Sequence, residues 1–590
     1  MKKISLIVFD KYREESLLAL RRLGVMHVTS TSNQSCPQID DLEKALRDTE
    51  KALSIISAYH ILSKEQSSSD NKDIASCIDQ IITFGNQRED CLRKKSDIEE
   101  KISWYDHWGD FSLNNLKQLR EAGVYIRLYT CDKKALINLR KTRILEVINK
   151  QGNNYYIAVV SLSDKEDAPD CQEAVIPQEE LVMLKIKLKG IQDKLIFLDN
   201  LLIKSAAHRS SLLSYLGYLG KSLDFNNVKS SMRQDGEISF LEGFMPAGDV
   251  GRLADLAKKN SWAYLIQDPE NPNHVPTLIR NPRWLRIIDP VFKFMGTLPG
   301  YKEYDISFSF LLFFSLFFAM LIGDAGYGLI FCLVTYLVRK KLPRLPVEPF
   351  ILMYVLAFFT IIWGALSGTW FGFEKIAQLP FFRGIVINRI NSFIDGNQSF
   401  MIQLCFLIGV VHLTVAHATI ALRIINSLRA LAQLGWILII WGLFFVAGKL
   451  VLTNALPEYT MAMLYAGCGL VLLFSCPQKN ILKGILSALA DLPLKLINSF
   501  SDLISYVRLF AVGYASVAVA SSFNGMALRI GFDNILGGFI AALIIFLGHG
   551  LNIALGLMAV IVHGIRLNML EFSSHLGMQW SGVEYRPFKE

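Results

Sequence analysis

The chain has 590 residues, 52% of them hydrophobic, and a mean hydropathy of +0.31, which excludes a single domain and a wholly soluble protein. Its formal charge of +8 is small for that length, and lysines and arginines gather in part at the ends of apolar runs, so they are read as membrane orientation and not as nucleic-acid binding. The nine cysteines are scattered, without a CxxC pair or a His/Cys ligand spacing, which reads as reduced cytoplasmic thiols and speaks against disulfides or a metal site.

The start, MKKISLIVFDKYREE, has a short apolar core that Asp10 and Lys11 end before any small-residue cleavage site, so 4–9 reads as a β-strand and not a signal peptide. KYREESLLALRRLGVMHV is an amphipathic helix stopped by Gly24 and followed by a strand, a βαβ-like opening. Residues 39–62, 90–102 and 178–219 read as polar helices with one apolar stripe. Such thin helices cannot each bury a core alone, and an antiparallel coiled-coil stalk is expected. Residues 108–141 with 154–163 make a second α/β module, and 237–269 reads strand, turn, helix, strand. The serine-rich 63–73 is read as a loop. Neither GxxxxGK[ST] nor GxGxxG occurs, so no nucleotide site, catalytic residue or cofactor is expected in this chain.

Composition changes at Asp305, which divides an α+β half, 1–304, from an all-α membrane half, 305–590. The apolar stretch 306–338 is broken at 322–328 by IGDAGYG. As one helix it would span about 50 Å, too long for a ~30 Å hydrocarbon core, so two short helices are expected. Further spans are expected at 350–373, 401–422, 432–452 and 461–476, followed by two long, tilted helices around Arg508 and Arg566, eight crossings in all. This places RKKLPR (339–344), Arg423, Arg429, Lys479, Lys483 and both termini on the cytoplasmic side. The loop 374–400 then lies outside despite Lys375, Arg383 and Arg389.

Arg508 stands in the apolar run 497–523. A guanidinium cannot lose its proton, so this places a permanent charge at membrane depth. On a helix, Ser501, Ser505, Ala511, Val512, Ala515 and Ser522 fall on or near its face, a smooth surface for a partner helix. The alternative is an arginine that snorkels or pairs with a structural carboxylate. In the last run, 539–572, Asn552, Ala559 and His563 form a discontinuous stripe with Arg566; such a stripe can line a wet passage or serve helix packing. The candidate ion-path residues are Arg508, Arg566, His563, Asn552, Ser505 and His549.

The strings GYKEYDISFSF, MLIGDAGYGL, GALSGTWFGFE, LIGVVHL, DLISYVRLFAVGYA, GHGLNIALG, VHGIRLNMLEF and GVEYRPF, in this order, resemble subunit a, called subunit I in bacteria, of the vacuolar/archaeal-type rotary ATPases. The resemblance runs the full length and is strongest in the membrane half. It implies a cytoplasmic half that meets peripheral stalks and the soluble ATPase head, and eight membrane helices in the lipid bilayer beside a rotating ring of proteolipid subunits. It also implies that Arg508 strips H+ or Na+ from a ring carboxylate between two aqueous half-channels, because a nearby cation favours the ionised carboxylate whereas lipid disfavours it. Arg566 either supports that gate or is structural. Relatives usually have Asp-Pro where this chain has Asp305-Ile306. Eukaryotic relatives carry a glutamate where it has Gly556, so the path there must use His563, Asn552 or water. Two other classes compete: a secondary transporter, for which no inverted repeat is visible, and a structural anchor, which has no need of Arg508.

Overall fold

In the computed structural model, residues 30–36, 60–73, 163–170, 344, 395, 476–480 and 532–533 fall outside the description; the serine-rich loop at 63–73, Arg344, Cys476 and Lys479 are among them. The chain divides into two units: Ile4–Gly243 with Gly248–Leu265 and Pro587–Glu590, and Ile266–Arg586 with Met1–Lys3 and Phe244–Ala247.

In the first unit, β1 (Lys2–Phe9) buries Ile4, Leu6 and Val8, the period of two expected for a strand with one covered face. Helix α1 (Arg13–Leu23) ends at Gly24, whose φ of +64° suits glycine, and β2 (His27–Val28) follows. Helices α2 (Pro37–Ser57) and α3 (Ile74–Trp108) come next. The second module is α4 (Leu113–Glu121), β3 (Tyr125–Cys131), α5 (Lys133–Thr142), β4 (Ile144–Gln151), β5 (Asn154–Ser161) and β6 (Gln172–Glu173), with strand order β4-β5-β3-β6 and antiparallel pairing throughout. Asp132 caps α5 by accepting from the Ala135 N–H.

The region expected as one helix at 178–219 is two, α6 (Leu181–Ala206) and α7 (Arg209–Ser231), with a turn at Ala207 and His208. Helix α3 packs along α6, and α2 along α7. Ala52, Ile56, Ile78, Ile81, Leu202 and Leu212 form one shared core. Beside it Asp199 accepts from both Tyr59 and Arg88 at 2.7 Å, and burial, then the Asp199 bond, pushes the Tyr59 phenol up to about 12. Strands β7 (Arg233–Asp235) and β8 (Ile238–Met245), helix α8 (Val250–Lys259) and strand β9 (Ala263–Gln267) complete a sheet of order β2-β8-β1-β9, with β7 on β8.

In the second unit, β10 (Pro276–Thr277) and α9 (Asp289–Met295) precede α10 (Ser307–Ile322). Helix α10 is apolar on every side, and such a helix belongs inside. Phe310, Phe314, Phe317 and Leu321 are buried in the main core. Gly323, at φ +70°, ends it, and Asp324 caps α11 (Ala325–Lys341), which leaves at a bend of 117°. The break falls inside the expected IGDAGYG.

Helix α12 (Glu348–Ser367) packs on α11, and Gly364 permits it: a β-carbon there would stand 2.1 Å from the Ala325 nitrogen. Short helices α13 (Glu374–Ala377) and α14 (Pro380–Arg383) lead to α15 (Gln398–Arg423), α16 (Arg429–Leu452) and α17 (Tyr459–Phe474). Helix α18 (Ile481–Ser505) is followed, after Tyr506, by α19 (Val507–Ile530), and α20 (Ile535–Ala559) continues through two π-helical segments, Val560–Gly564 and Leu567–Phe572, into α21 (Ser573–Leu576). Strand β11 (Val583–Glu584), unforeseen, pairs parallel with β10.

Among the described residues, five stretches are long and apolar enough to cross a membrane: α12, α15, α16, Leu482–Ile530 and Ile535–Leu576. The bent α10–α11 pair passes the same test jointly, and α17 is a shorter apolar helix.

Candidate functional site

Arg508 lies two residues past Tyr506, the turn between α18 and α19. The Tyr506 side chain is fully buried, packs edge-on to Phe317, and meets Nδ1 of His412 through its hydroxyl at 2.9 Å. Gly409 makes room for its ring, since a β-carbon there would stand 2.7 Å from a ring carbon. The expectation of one helix over 497–523 therefore changes at Tyr506, where a bulky anchor replaces regular winding and sets the base on which Arg508 stands.

Arg508 donates from Nε to the Ser505 carbonyl at 3.1 Å and from a terminal nitrogen to Oε1 of Glu571 at 2.7 Å. Arg566 brings its Nε to 3.6 Å from the same oxygen. The Glu571 side chain is 4% exposed, Arg508 25% and Arg566 54%. A carboxylate out of water needs such partners, and two guanidiniums against one carboxylate leave a net positive cluster. Oε2 of Glu571 and Nδ1 of His563 are buried without a hydrogen-bond partner, and His563 lies within electrostatic reach of both arginines.

Glu571 was absent from the sequence reading. It lies five residues after Arg566, and on an α-helix that offset faces away. The π-helical winding of Leu567–Phe572 enlarges the turn and returns it towards Arg566. The available signal was its status as the one acidic residue of the run 539–572.

The other candidates divide. Ser505 hydrogen-bonds its own helix at Ser501 and offers its carbonyl to Arg508. Asn552 and His549 belong to a different cluster. Asn552 donates to the Ser516 carbonyl (2.9 Å) and to the Tyr327 hydroxyl (3.0 Å), and accepts from the Ser516 hydroxyl. The Tyr327 hydrogen then points to Nδ1 of His549 at 2.6 Å, and His549 donates from Nε2 to Asn524 Oδ1 at 3.0 Å. Asp324 closes the base of this cluster by accepting the N–H groups of Gly326, Tyr327, Phe371 and Gly372. The stripe read from Asn552 to Arg566 is thus not one surface: Asn552 is buried on the side that also carries Gly548, Gly556 and Val560, whereas Arg566 is exposed.

Two cavities flank Arg508 along its helices. One, of about 30 Å³, is lined by Leu509, Gly513, Tyr514, Trp363, Asn391 and Gln398. The other, of about 430 Å³, is lined by Lys495, Asn498, Asp502, His417, Gln433 and His575. The face of α19 that meets neither core nor cavity exposes small residues: Ala511, Ala515, Ala518, Ser521 and Ser522.

No family model matches the chain. The V-type ATP synthase subunit I of Borreliella burgdorferi is 32% identical over 620 residues, covering 100% of this chain and 99% of that protein. The V-type ATP synthase subunit I 1 of Treponema pallidum is 29% identical over 635 residues, with the same coverage. The A-type ATP synthase subunit I of Methanocaldococcus jannaschii is 23% identical over 447 residues, 70% of this chain and 64% of that one. Among solved structures, the cytoplasmic N-terminal domain of subunit I, homolog of subunit a, of V-ATPase aligns with 45% of this chain and 100% of its own at 12% identity and a TM-score of 0.21, a level that carries no weight.

Proposed function

The chain belongs to the subunit I family of V-type and A-type ATP synthases, and on that basis we propose that it is the stator membrane subunit that passes H+ or Na+ between two aqueous half-channels against a rotating proteolipid ring. Residues 305–590 cross the cell membrane eight times, with both termini cytoplasmic, and residues 1–304 bind the peripheral stalks and the soluble head through paired coiled-coil helices.

The position of Arg508 carries this reading. It is part exposed, on a helix whose outer face holds small residues, with a cavity on either side along the chain. A ring carboxylate in lipid must be neutral, because an ionised one would cost several kcal/mol. Facing Arg508 it ionises, gives its ion to one cavity, and reloads from the other before it returns to lipid. The fixed charge meanwhile repels cations that would run straight between the cavities. Glu571 tempers that charge, so the ring carboxylate can leave again.

Reconstituted Arg508→Ala complex should assemble, hydrolyse ATP and move no ions. Coupled transport at the unaltered rate would end the proposal.

A further inference from the structure

The larger cavity has a wall made of four hydrogen-bonded side chains from four elements. Asp502 of α18 meets His575 of α21 (Oδ2 to Nε2, 3.2 Å); His575 Nδ1 meets His417 Nε2 of α15 at 2.9 Å; and His417 Nδ1 meets Gln433 Oε1 of α16 at 2.7 Å. His417 is 5% exposed and the His575 side chain 7%, whereas Asp502, at 26%, and Gln433 are part exposed and line the cavity, so water reaches both ends of the chain. The indole of Trp436 stacks on His417 near the Gln433 end.

The donors and acceptors of this chain can be counted. With the Gln433 oxygen facing it, His417 carries hydrogen on Nδ1, so its Nε2 accepts from His575 Nδ1–H. His575 Nε2 faces a carboxylate, which only accepts, so a further proton must sit between His575 and Asp502. That arrangement is an imidazolium beside a carboxylate, or a neutral imidazole beside a carboxylic acid. If the Gln433 amide turns over, its NH₂ donates to His417 Nδ1, His417 Nε2–H donates to His575 Nδ1, and His575 Nε2–H donates to ionised Asp502. Every hydrogen bond survives, and the chain holds one proton fewer. Loading takes one proton from cavity water at His417 Nδ1 as the Gln433 amide turns its oxygen to it, and passes the His417 Nε2 hydrogen to His575 Nδ1, which leaves His575 an imidazolium on the Asp502 carboxylate; unloading reverses it.

We propose that Asp502, His575, His417 and Gln433 form a single-proton store in the wall of this cavity, which makes H+ the ion this subunit handles. The inference rests on the reading of the cavity as a half-channel. An imidazole is suited to the task because each of its two nitrogens can donate or accept, so a proton can enter or leave while the line of hydrogen bonds is kept. Among the described residues, two other charged or titratable groups face the store: Lys495 of α18, which lines the cavity and pairs with Asp491 at 3.5 Å, and His412 of α15, within electrostatic reach of His575. Lys495 is more than half exposed and keeps its own partner, which leaves the store to answer to cavity protons.

The test uses the whole complex in sealed vesicles, with ATP-driven acidification read by a pH dye and uptake of radioactive sodium read in parallel. The unaltered complex should acidify the lumen and take up no sodium; sodium uptake without acidification overturns the proposal and needs no variant. His575→Gln, His417→Gln and Gln433→Met should each slow acidification about fivefold or more near pH 8, where protons are scarce, and change it little near pH 6. A uniform loss at every pH means a structural role and overturns the store, as does a rate equal to the unaltered one throughout. Arg508→Ala separates the two levels: if it is silent while these variants match the unaltered complex, the store alone is wrong, and if it pumps, the half-channel reading falls with it.

Discussion

Glu571 and Arg508 stand 63 residues apart in the sequence and 2.7 Å apart in space, and the glutamate is the more deeply buried of the two. Removing one partner of a buried ion pair costs about 3–5 kcal/mol, and somewhat less where, as here, one partner keeps contact with solvent. Glu571→Gln should therefore lower the thermal midpoint of the detergent-purified protein. It should also cut coupled ion flux per assembled complex about tenfold, because Arg508 then holds the ring carboxylate without a competitor. Flux and midpoint both unchanged would mean that the pair has no part in either.

Arg508→Lys should leave less than about a tenth of the coupled flux. The planar guanidinium reaches the Ser505 carbonyl and Glu571 together, whereas an ammonium is compact and can lose its proton when desolvated. ATP-driven uptake in vesicles measures this, and flux near the unaltered level would show that charge alone suffices.

Cysteines tell the two sides of the last long helices apart. In a background without Cys332, Cys405, Cys468 and Cys476, cysteines at Ala511, Ala515 and Ser522 should react quickly with a water-soluble maleimide in detergent, while one at Asn552 should be slow, since its site is closed by Ser516 and Tyr327. The first three should become protected when the ring is present. Equal rates at all four positions would contradict the buried placing of Asn552.

Gly364→Ala should abolish or severely reduce the yield of monodisperse protein, because its methyl group would run into the Ala325 backbone at the α11–α12 contact, and overpacking of this kind costs about 1–3 kcal/mol or more. Gly550→Ala, with open space around the added carbon, serves as the control and should purify normally. Size-exclusion chromatography compares them.

In the α/β module of β3 to β6, burial and then the neighbouring Cys171 push the Cys131 thiol up to about 11 from 9.0. The folded state holds this proton more tightly than the unfolded state does. The contribution to stability is thus whole below about pH 9 and is lost as the pH rises towards about 11. Cys131 should resist a thiol reagent at pH 8 until the protein is unfolded, and rapid reaction in the folded state would contradict its burial.

The amino-acid sequence by itself determined what depends on neighbours along the chain. Gly24 ends α1, Gly323 and Asp324 end one apolar helix and cap the next, and the run around Arg508 brings a permanent charge into an apolar helix; each follows from local backbone freedom, run length or side-chain chemistry. Side-chain faces were legible only as far as regular α-helical winding holds. It fails at Tyr506, where packing against Phe317 and His412 interrupts the helix, and at Leu567–Phe572, where π winding turns Glu571 towards the arginines. Tertiary structure alone decided that Asn552 and His549 join Tyr327, Ser516 and Asn524 and not Arg566, and that Asp502, His575, His417 and Gln433 line one cavity. Those groups come from helices far apart in the chain, and the need of each buried polar atom for a partner is met by whichever element packing brings alongside, which no periodicity within a single helix encodes.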